Sequence, residues 1–370
     1  MGTNRLETTR KRSVVVVGAG GNIGSHLVPH LARMPLESVT LIDKDVYEAS
    51  NLQSQDITPQ EVGKRKTAVQ ARRLKRINPA IQVNAIHDSV ERVPLGKLRA
   101  TVILACLDSR VARQHVNQFA WRLGVPLIDA GVEAGGMLAR INVYVPGVEN
   151  PCLECPWDDR DYQALEQLYP CFEFASGIPA TNAPSSLGAL AASLQAIECV
   201  KLLNGQSDLA AVGKQIVLDA THHKHYVTAF RRNPNCRFSG HEVWDIRSLE
   251  SSVEDLTLAE ALCLSHQRSG VNGSDNLRIE GKSFVTRLTC PGCGKTRSLL
   301  RLGCSLRRSH TRCAECGRAM ITPGFDALER LSADVVPRSA LSRSLRSLGL
   351  RRGEVFSVSG DQGERHFEIG

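Results

Sequence analysis

The stretch SVVVVGAGGNIGSHL, residues 13–27, constrains the fold more than any other part of the chain. Val14 to Val17 make an apolar run of strand length that leads directly into Gly18, Gly20, Gly21 and Gly24, after which a helical pattern begins. Strand, glycine turn and helix in this order predict the opening unit of an open α/β sheet. Glycines let the backbone approach phosphate oxygens, and a helix N-terminus adds oriented N–H groups and partial positive charge, so the turn suits an anionic ligand. Pro29 falls inside the predicted helix and, lacking a backbone donor, is expected to kink or shorten it.

VTLIDKD supplies a second apolar strand, and its Asp43, nineteen residues after Gly24, stands where an acid accepts hydrogen bonds from ribose hydroxyls. TVILACLDSRVARQHVN predicts a strand ending in Asp108 with Arg113 on the helix that follows, and VPLIDAGVEAGGMLARINVYVPG predicts two more strands. Ligands of open α/β sheets collect outside the C-terminal strand ends, so Gly18, Asp43 and Asp108 are expected around one crevice. An aspartate beside a polyphosphate is a natural magnesium ligand. The glycine pattern and Asp43 alone would fit an NAD-dependent oxidoreductase. Asp45, Asn51 and Gln55 follow, however, and then GKRKTAVQARRLKRINPAIQV, a basic helix with Lys66 near its start that ends before Asn78 and Pro79. This is not a typical dehydrogenase continuation.

The twelve cysteines carry the second signal. MGTNRLETTRKR leads straight into a strand, and no apolar run approaches the ~20 residues of a membrane span, so a cytoplasmic location and no membrane partner are expected. In that compartment, closely spaced cysteines point to thiolate metal sites rather than disulfides. Cys290, Cys293, Cys313 and Cys316 form two CxxC knuckles nineteen residues apart, the pattern of a zinc ribbon over about residues 281–326. Cys152 and Cys155 make a third pair, which supplies only half of a tetrahedral zinc site. Cys106, Cys199, Cys263 and Cys304 sit among apolar neighbours and read as small core residues.

A charged fraction of 23% and a hydrophobic fraction of 42% exclude a disordered chain, and the net charge of +8 reads as a solvated basic surface. The ribbon's Arg297, Arg301, Arg307, Arg308 and Arg312 lack interleaved aromatic residues for base stacking, so the ribbon is expected to dock protein rather than nucleic acid. Leu187, Leu190, Ala191, Leu194 and Ile197 share one helical face and are expected in the core. Ser265 to Asn276 reads as a loop between domain pieces, and Val355–Val358 and His366–Ile369 as strands linked by SGDQG.

GAGGNIG, LIDKD, SNLQSQ, VGKRK, INP, CLDSR, PCLEC and LQAIECVKLL occur in the order found in the ubiquitin-activating enzyme and ThiF/MoeB superfamily, which the chain resembles over roughly residues 14–241. The resemblance implies a Rossmann-like α/β adenylation domain over residues 1–247 and an extension over 248–370 that contains the ribbon. It implies an enzyme that adenylates the C-terminal glycine of a ubiquitin-like protein with Mg-ATP. Gly18, Gly20, Gly21, Gly24, Asp43, Asp45, Asn51, Gln55, Lys66 and Asp108 would form the ATP site, with Asp43 on the ribose, Asn51, Gln55 and Lys66 on the phosphates and Asp108 on Mg2+. Where the family carries an arginine, SNLQSQ has Ser54. A substitute cation is expected from Lys64, Arg65, Arg72 or Arg73, or from Arg12 or, as the favoured choice, Arg5 or Arg10 of a partner subunit in a homodimer.

The resemblance also places Cys171 in the crossover segment as the thioester nucleophile, upstream of a small-residue helix from about Pro184 to Leu203. It brings the missing zinc ligands from RRNPNCRFSGH, where Ser239 replaces the usual second cysteine, giving Cys152, Cys155, Cys236 and His241 as a Zn2+ site. The extension favours hand-over to a conjugating enzyme. A sulfur-carrier adenylyltransferase and an inactive scaffold of the same fold are the alternatives.

Overall fold

The computed structural model describes residues 12–166, 183–265, 275–361 and 363–370. Arg5, Arg10, Cys171 and most of the expected 265–276 loop lie outside these residues. The chain forms two compact units, Met1–Val90 with Leu98–Val243, and Glu91–Lys97 with Trp244–Gly370.

The first unit is an eight-stranded sheet in the order β3-β2-β1-β4-β5-β6-β7-β8. Its strands are β1 (Ser13–Val17), β2 (Ser38–Ile42), β3 (Gln82–Ile86), β4 (Val102–Ala105), β5 (Leu127–Glu133), β6 (Leu138–Tyr144), β7 (Lys214–Asp219) and β8 (Lys224–Ala229). The first five in that spatial order run parallel and the last three add antiparallel, so the α/β expectation holds. Chain order reverses at β1, whose neighbours are β2 and β4. This is the switch point at which such sheets open a ligand crevice.

Helices α1 (Asn22–Leu31), α2 (Lys66–Ile77), α3 (Arg110–Leu123), α4 (Asp159–Glu166) and α5 (Ser185–Leu203) belong to the same unit. The valines of β1 are at most 2% exposed, since a central parallel strand is covered on both faces. Pro29 lies inside α1, which ends two residues later at Leu31.

Two readings of α5 need correction. Ile197 is not core: it is 52% exposed, whereas Leu187, Gly188, Ala191, Ala192, Ala196 and Cys199 are buried. Small side chains let the helix backbone approach its neighbours closely, so that stripe turns inward and the bulkier Ile197 turns out. A Cβ on Gly188 would stand 1.5 Å from Asn22 Oδ1, a measure of how tightly α5 meets α1. The helix is also, by length and composition alone, apolar enough to cross a membrane, although 56% of the relevant window is buried in this unit, as in a core helix.

The second unit contains a five-stranded sheet, order β14-β10-β15-β16-β9, and a three-stranded sheet, order β12-β11-β13. The strands are β9 (Ile246–Leu249), β10 (Asn276–Arg278), β11 (Phe284–Thr289), β12 (Thr296–Leu302), β13 (Ala327–Leu328), β14 (Arg330–Ser332), β15 (Val355–Gly360) and β16 (Gly363–Ile369). The expected terminal hairpin is β15 and β16. Leu277, Phe284, Leu302, Leu345, Leu348, Phe356 and Val358 form its core.

Candidate nucleotide site and metal centres

The crevice is assembled at the C-terminal end of β1. Val17 stands level with Ile42 of β2 and Ala105 of β4, so Gly18, Asp43 and the Cys106–Asp108 turn leave three adjacent parallel strands at the same edge. Gly18 has φ +79, and its Cβ would lie 2.4 Å from the Cys106 carbonyl oxygen, so only glycine fits this crossing. Asp43 is 7% exposed; its Oδ2 accepts from the Gly20 N–H (2.9 Å) and its Oδ1 from the Asp45 N–H (3.0 Å). Burial pushes its carboxyl above the ordinary value, opposed by nearby Lys66 and by these two backbone donors.

Lys66 reaches the crevice because the chain doubles back: Val46 bridges Arg65, and the Lys66 N–H donates to the Asp45 carbonyl (3.0 Å). Lys66 begins α2, is 7% exposed and lies 3.4 Å from Asp45 Oδ2. A Cβ on Gly20 would meet the Lys66 Cβ at 2.3 Å, so the glycine turn and the head of α2 are in direct backbone-level contact. The N-terminus of α1, capped by the Gly21 backbone with no side-chain hydrogen bond, opens beside them. Backbone donors, an acid and a cation therefore face one space, an arrangement that suits a ribonucleotide phosphate.

Asn51 Oδ1 accepts from the Glu48 N–H (3.0 Å), and Ser54 closes that turn by donating its N–H to the Asn51 carbonyl (3.2 Å). Gln55 Oε1 is buried with no hydrogen-bond partner among the described residues. Asp108 is exposed. Of the expected substitute cations, Arg73 pairs with Asp56 (2.5 Å).

Arg113, buried on α3, joins Asp129 on β5 and the carbonyls of Leu107 and Ala130, so one guanidinium ties the turn that carries Asp108 to the middle of β5. Gln195 of α5 donates to the carbonyls of Ala105 (3.1 Å), the last residue of β4, and Ile128 (2.8 Å) of β5, joining the two strands. Asp129 and Gln195 are absent from the sequence-based list; the available signal was a polar residue set in each of two apolar segments. Ala183, where the described chain resumes after the Cys171 segment, accepts from Asn22 Nδ2 (2.7 Å) beside the glycine turn.

Cys152, Cys155, Cys236 and His241 converge, with their ligand atoms all within 4.8 Å of one another. Tetrahedral zinc with bonds of about 2.3 Å places neighbouring sulfurs about 3.8 Å apart. The separations here are 3.8 Å for Cys152–Cys236, 3.9 Å for Cys152–Cys155 and 3.7 Å for Cys155 Sγ to His241 Nε2, dimensions that suit zinc. The Glu154 N–H donates to Cys152 Sγ (3.3 Å) and the Asn233 N–H to Cys155 Sγ (3.4 Å), favouring thiolates.

Glu154, within the knuckle and 1% exposed, accepts from Gln114 (2.8 Å), Asn117 (3.3 Å) and Gln118 (3.0 Å) of α3 and from the Tyr162 hydroxyl (3.1 Å) of α4. Trp121 of α3 packs on the His241 ring, with centroids 5.0 Å apart. The metal centre is thus fastened to the helix whose other end follows Asp108.

In the second unit Cys290, Cys293, Cys313 and Cys316 form the other cluster, with Cys290–Cys316 3.3 Å and Cys293–Cys313 3.6 Å apart. Of the remaining cysteines, Cys106 and Cys199 are buried and Cys263 and Cys304 half-buried; burial raises the Cys199 thiol to about 12, which makes it inert.

Comparison with known proteins agrees with this geometry. Residues 1–238 match the ThiF family. The sulfur carrier protein ThiS adenylyltransferase of Escherichia coli is 29% identical over 61% of this chain and 85% of its own. The SAMP-activating enzyme E1 of Haloferax volcanii is 27% identical over 71% of this chain and 90% of its own. The crystal structure of E. coli MccB with ATP superposes with a TM-score of 0.51 at 28% identity, covering 62% of this chain and 67% of that one.

Proposed function

On the premise that the chain belongs to the ThiF family, we propose that it is an ATP-dependent adenylyltransferase acting on the C-terminal carboxylate of a small ubiquitin-like carrier protein. The observation that carries this reading is buried Asp43 tied to the Gly20 N–H with Lys66 packed against the same glycine. Asp43 accepts from the ribose hydroxyls, the glycine turn and the start of α1 receive the α-phosphate, Lys66, Asn51 and Gln55 bind the phosphate oxygens, and Asp108 holds magnesium. Bound magnesium neutralises charge on those oxygens. A carrier carboxylate oxygen attacks the α-phosphorus and pyrophosphate leaves, giving an acyl adenylate whose leaving group is AMP. Both cysteine clusters hold zinc in structural roles.

In the finer reading the enzyme is a homodimer, Arg5 or Arg10 of the partner subunit replaces the charge absent at Ser54, and the Cys171 thiolate attacks the acyl carbon, expelling AMP. The resulting thioester passes to the cysteine of a conjugating enzyme. The likeness to the ThiS adenylyltransferase favours a second reading, in which the same adenylate is converted to a thiocarboxylate on a sulfur carrier.

Carrier-dependent exchange of pyrophosphate into ATP, with a nonreducing gel on wild type and Cys171→Ala, tests both. Exchange in each protein with a thiol-sensitive adduct only in wild type supports the finer reading. Exchange with no adduct in either supports the sulfur-carrier reading. No ATP binding and no exchange with any carrier would overturn adenylation itself.

A further inference from the structure

Between Gly281 and Ala314 the sequence holds eight lysines and arginines and no aspartate or glutamate. Three of these cations find acids elsewhere in the second unit: Lys282 joins Glu354, Arg287 lies 2.9 Å from Asp326 and Lys295 lies 3.1 Å from Glu315. Arg297, Arg301, Arg307, Arg308 and Arg312, joined by Arg343 from outside the window, have no ion pair with an acid among the described residues. Arg278, by contrast, is bound to both Glu280 and Glu364 in the same unit.

Three of these cations, Arg297, Arg301 and Arg343, are held in place by neutral oxygens. Arg301 Nη1 and Arg343 Nη2 both donate to the Ser347 carbonyl, at 3.2 and 3.0 Å, so two guanidinium groups converge on one atom. Arg301 Nε adds a bond to Ser305 Oγ (3.2 Å), and Arg343 Nε one to Ser347 Oγ (3.3 Å). Arg297 donates to the carbonyls of Ser309 (3.1 Å), His310 (2.5 Å) and Arg312 (3.3 Å). Burial, followed by repulsion from Arg307, Arg343 and Arg346, lowers the Arg301 pKa, and burial with Arg301, Arg307 and Arg297 lowers that of His310. Like charges at such range repel unless a counter-charge joins them, and here the fold orients them without neutralising them. Only Arg346 has an acid, Glu254 at 3.4 Å, in an exposed pair that salt screens readily.

We propose that this arginine face docks an acidic segment of a protein partner, whose carboxylates supply the missing counter-charge. Guanidinium forks match carboxylates in shape as well as sign, and each retains free N–H donors beyond those spent on carbonyls. Among the described residues no aromatic ring packs on these arginines, so no stacking platform for the bases of a single strand is seen beside them. Arg301 and Arg343 meet at Ser347 with Arg307 and Arg346 close enough to act on Arg301, a local concentration of charge that suits a short acidic segment.

The test uses the full zinc-loaded chain and a fluorescent dodecaglutamate peptide, followed by anisotropy at fixed ionic strength. The expected result is saturable binding that weakens with added salt and falls by about tenfold or more in Arg307→Glu/Arg308→Glu, two exposed positions, as loss of complementary charge requires. Arg247→Glu on β9, an exposed position on a strand that contributes none of these arginines, is expected to leave binding within about twofold, since a single exposed charge contributes little. Absence of peptide binding, equal loss in both variants, or tighter binding of a 16-base-pair DNA duplex under the same conditions would each overturn the proposal. Because no nucleotide is present, these outcomes do not depend on the adenylation reading.

Discussion

Gly20→Ala addresses the site through its closest contact. A Cβ at position 20 would lie 2.3 Å from Lys66 Cβ and 2.8 Å from its Cγ and Cδ, against an ordinary contact of 3.4 Å or more. Lys66 Cβ sits at the first residue of α2, so the shortfall, about 1 Å, cannot be absorbed by rotating the far end of a side chain. The head of α2 must withdraw and carry the ammonium with it. A displacement of about 1 Å at a reacting site costs roughly a hundredfold in rate, and overpacking lowers stability by about 1–3 kcal/mol. ATP titration and carrier-dependent pyrophosphate exchange measure the first quantity, and denaturant unfolding the second. If Lys66 is the channel, Gly20→Ala added to Lys66→Ala should cost little beyond Lys66→Ala alone, because the two changes remove one interaction. Exchange within a few-fold of wild type in Gly20→Ala, or additive losses in the double variant, would refute the reasoning.

Asp43, whose carboxyl burial raises, must be ionised to accept ribose donors, so ATP affinity should fall as pH drops through a midpoint above the ordinary value of about 4. The raised folded-state value also means that ionising Asp43 destabilises the fold, a penalty relieved as pH falls. Isothermal titration with ATP and with a nucleotide lacking both ribose hydroxyls tests the first point; identical pH profiles would contradict the role of Asp43. Zinc analysis should find two equivalents per chain, and Cys290→Ser/Cys313→Ser should leave one, with chemical unfolding showing selective loss in the second unit. Glu154→Gln replaces one acceptor oxygen with a donor that faces Gln114 and Tyr162, and should lower stability by about 1–3 kcal/mol. A variant as stable as wild type would show that the Glu154 hub does not fasten the knuckle to α3.

The sequence by itself determined what rests on neighbouring residues. The strand, glycine turn and helix at Ser13–Leu31 follow from a change of hydrophobic period and from glycines where the backbone must turn tightly. Each CxxC knuckle was legible because three residues span the bite of one metal ion. Motif order carried the family resemblance for the same reason, since each motif is a local unit.

The tertiary structure decided what depends on distant approach. It brought Cys236 and His241 to the knuckle at Cys152 and Cys155, and set Lys66 against Gly20 across a 46-residue separation. It assigned Arg113 to Asp129 and four donors to Glu154, because a buried charge must find its partners wherever packing brings them. It turned Ile197 outward, since a helical wheel holding two adjacent apolar stripes leaves open which one packs, and close approach over small residues chose the other. The arginine cluster follows the same rule: its charge was visible in the sequence, whereas the meeting of Arg301 and Arg343 at Ser347, with no acid paired to either among the described residues, exists only once the chain has folded.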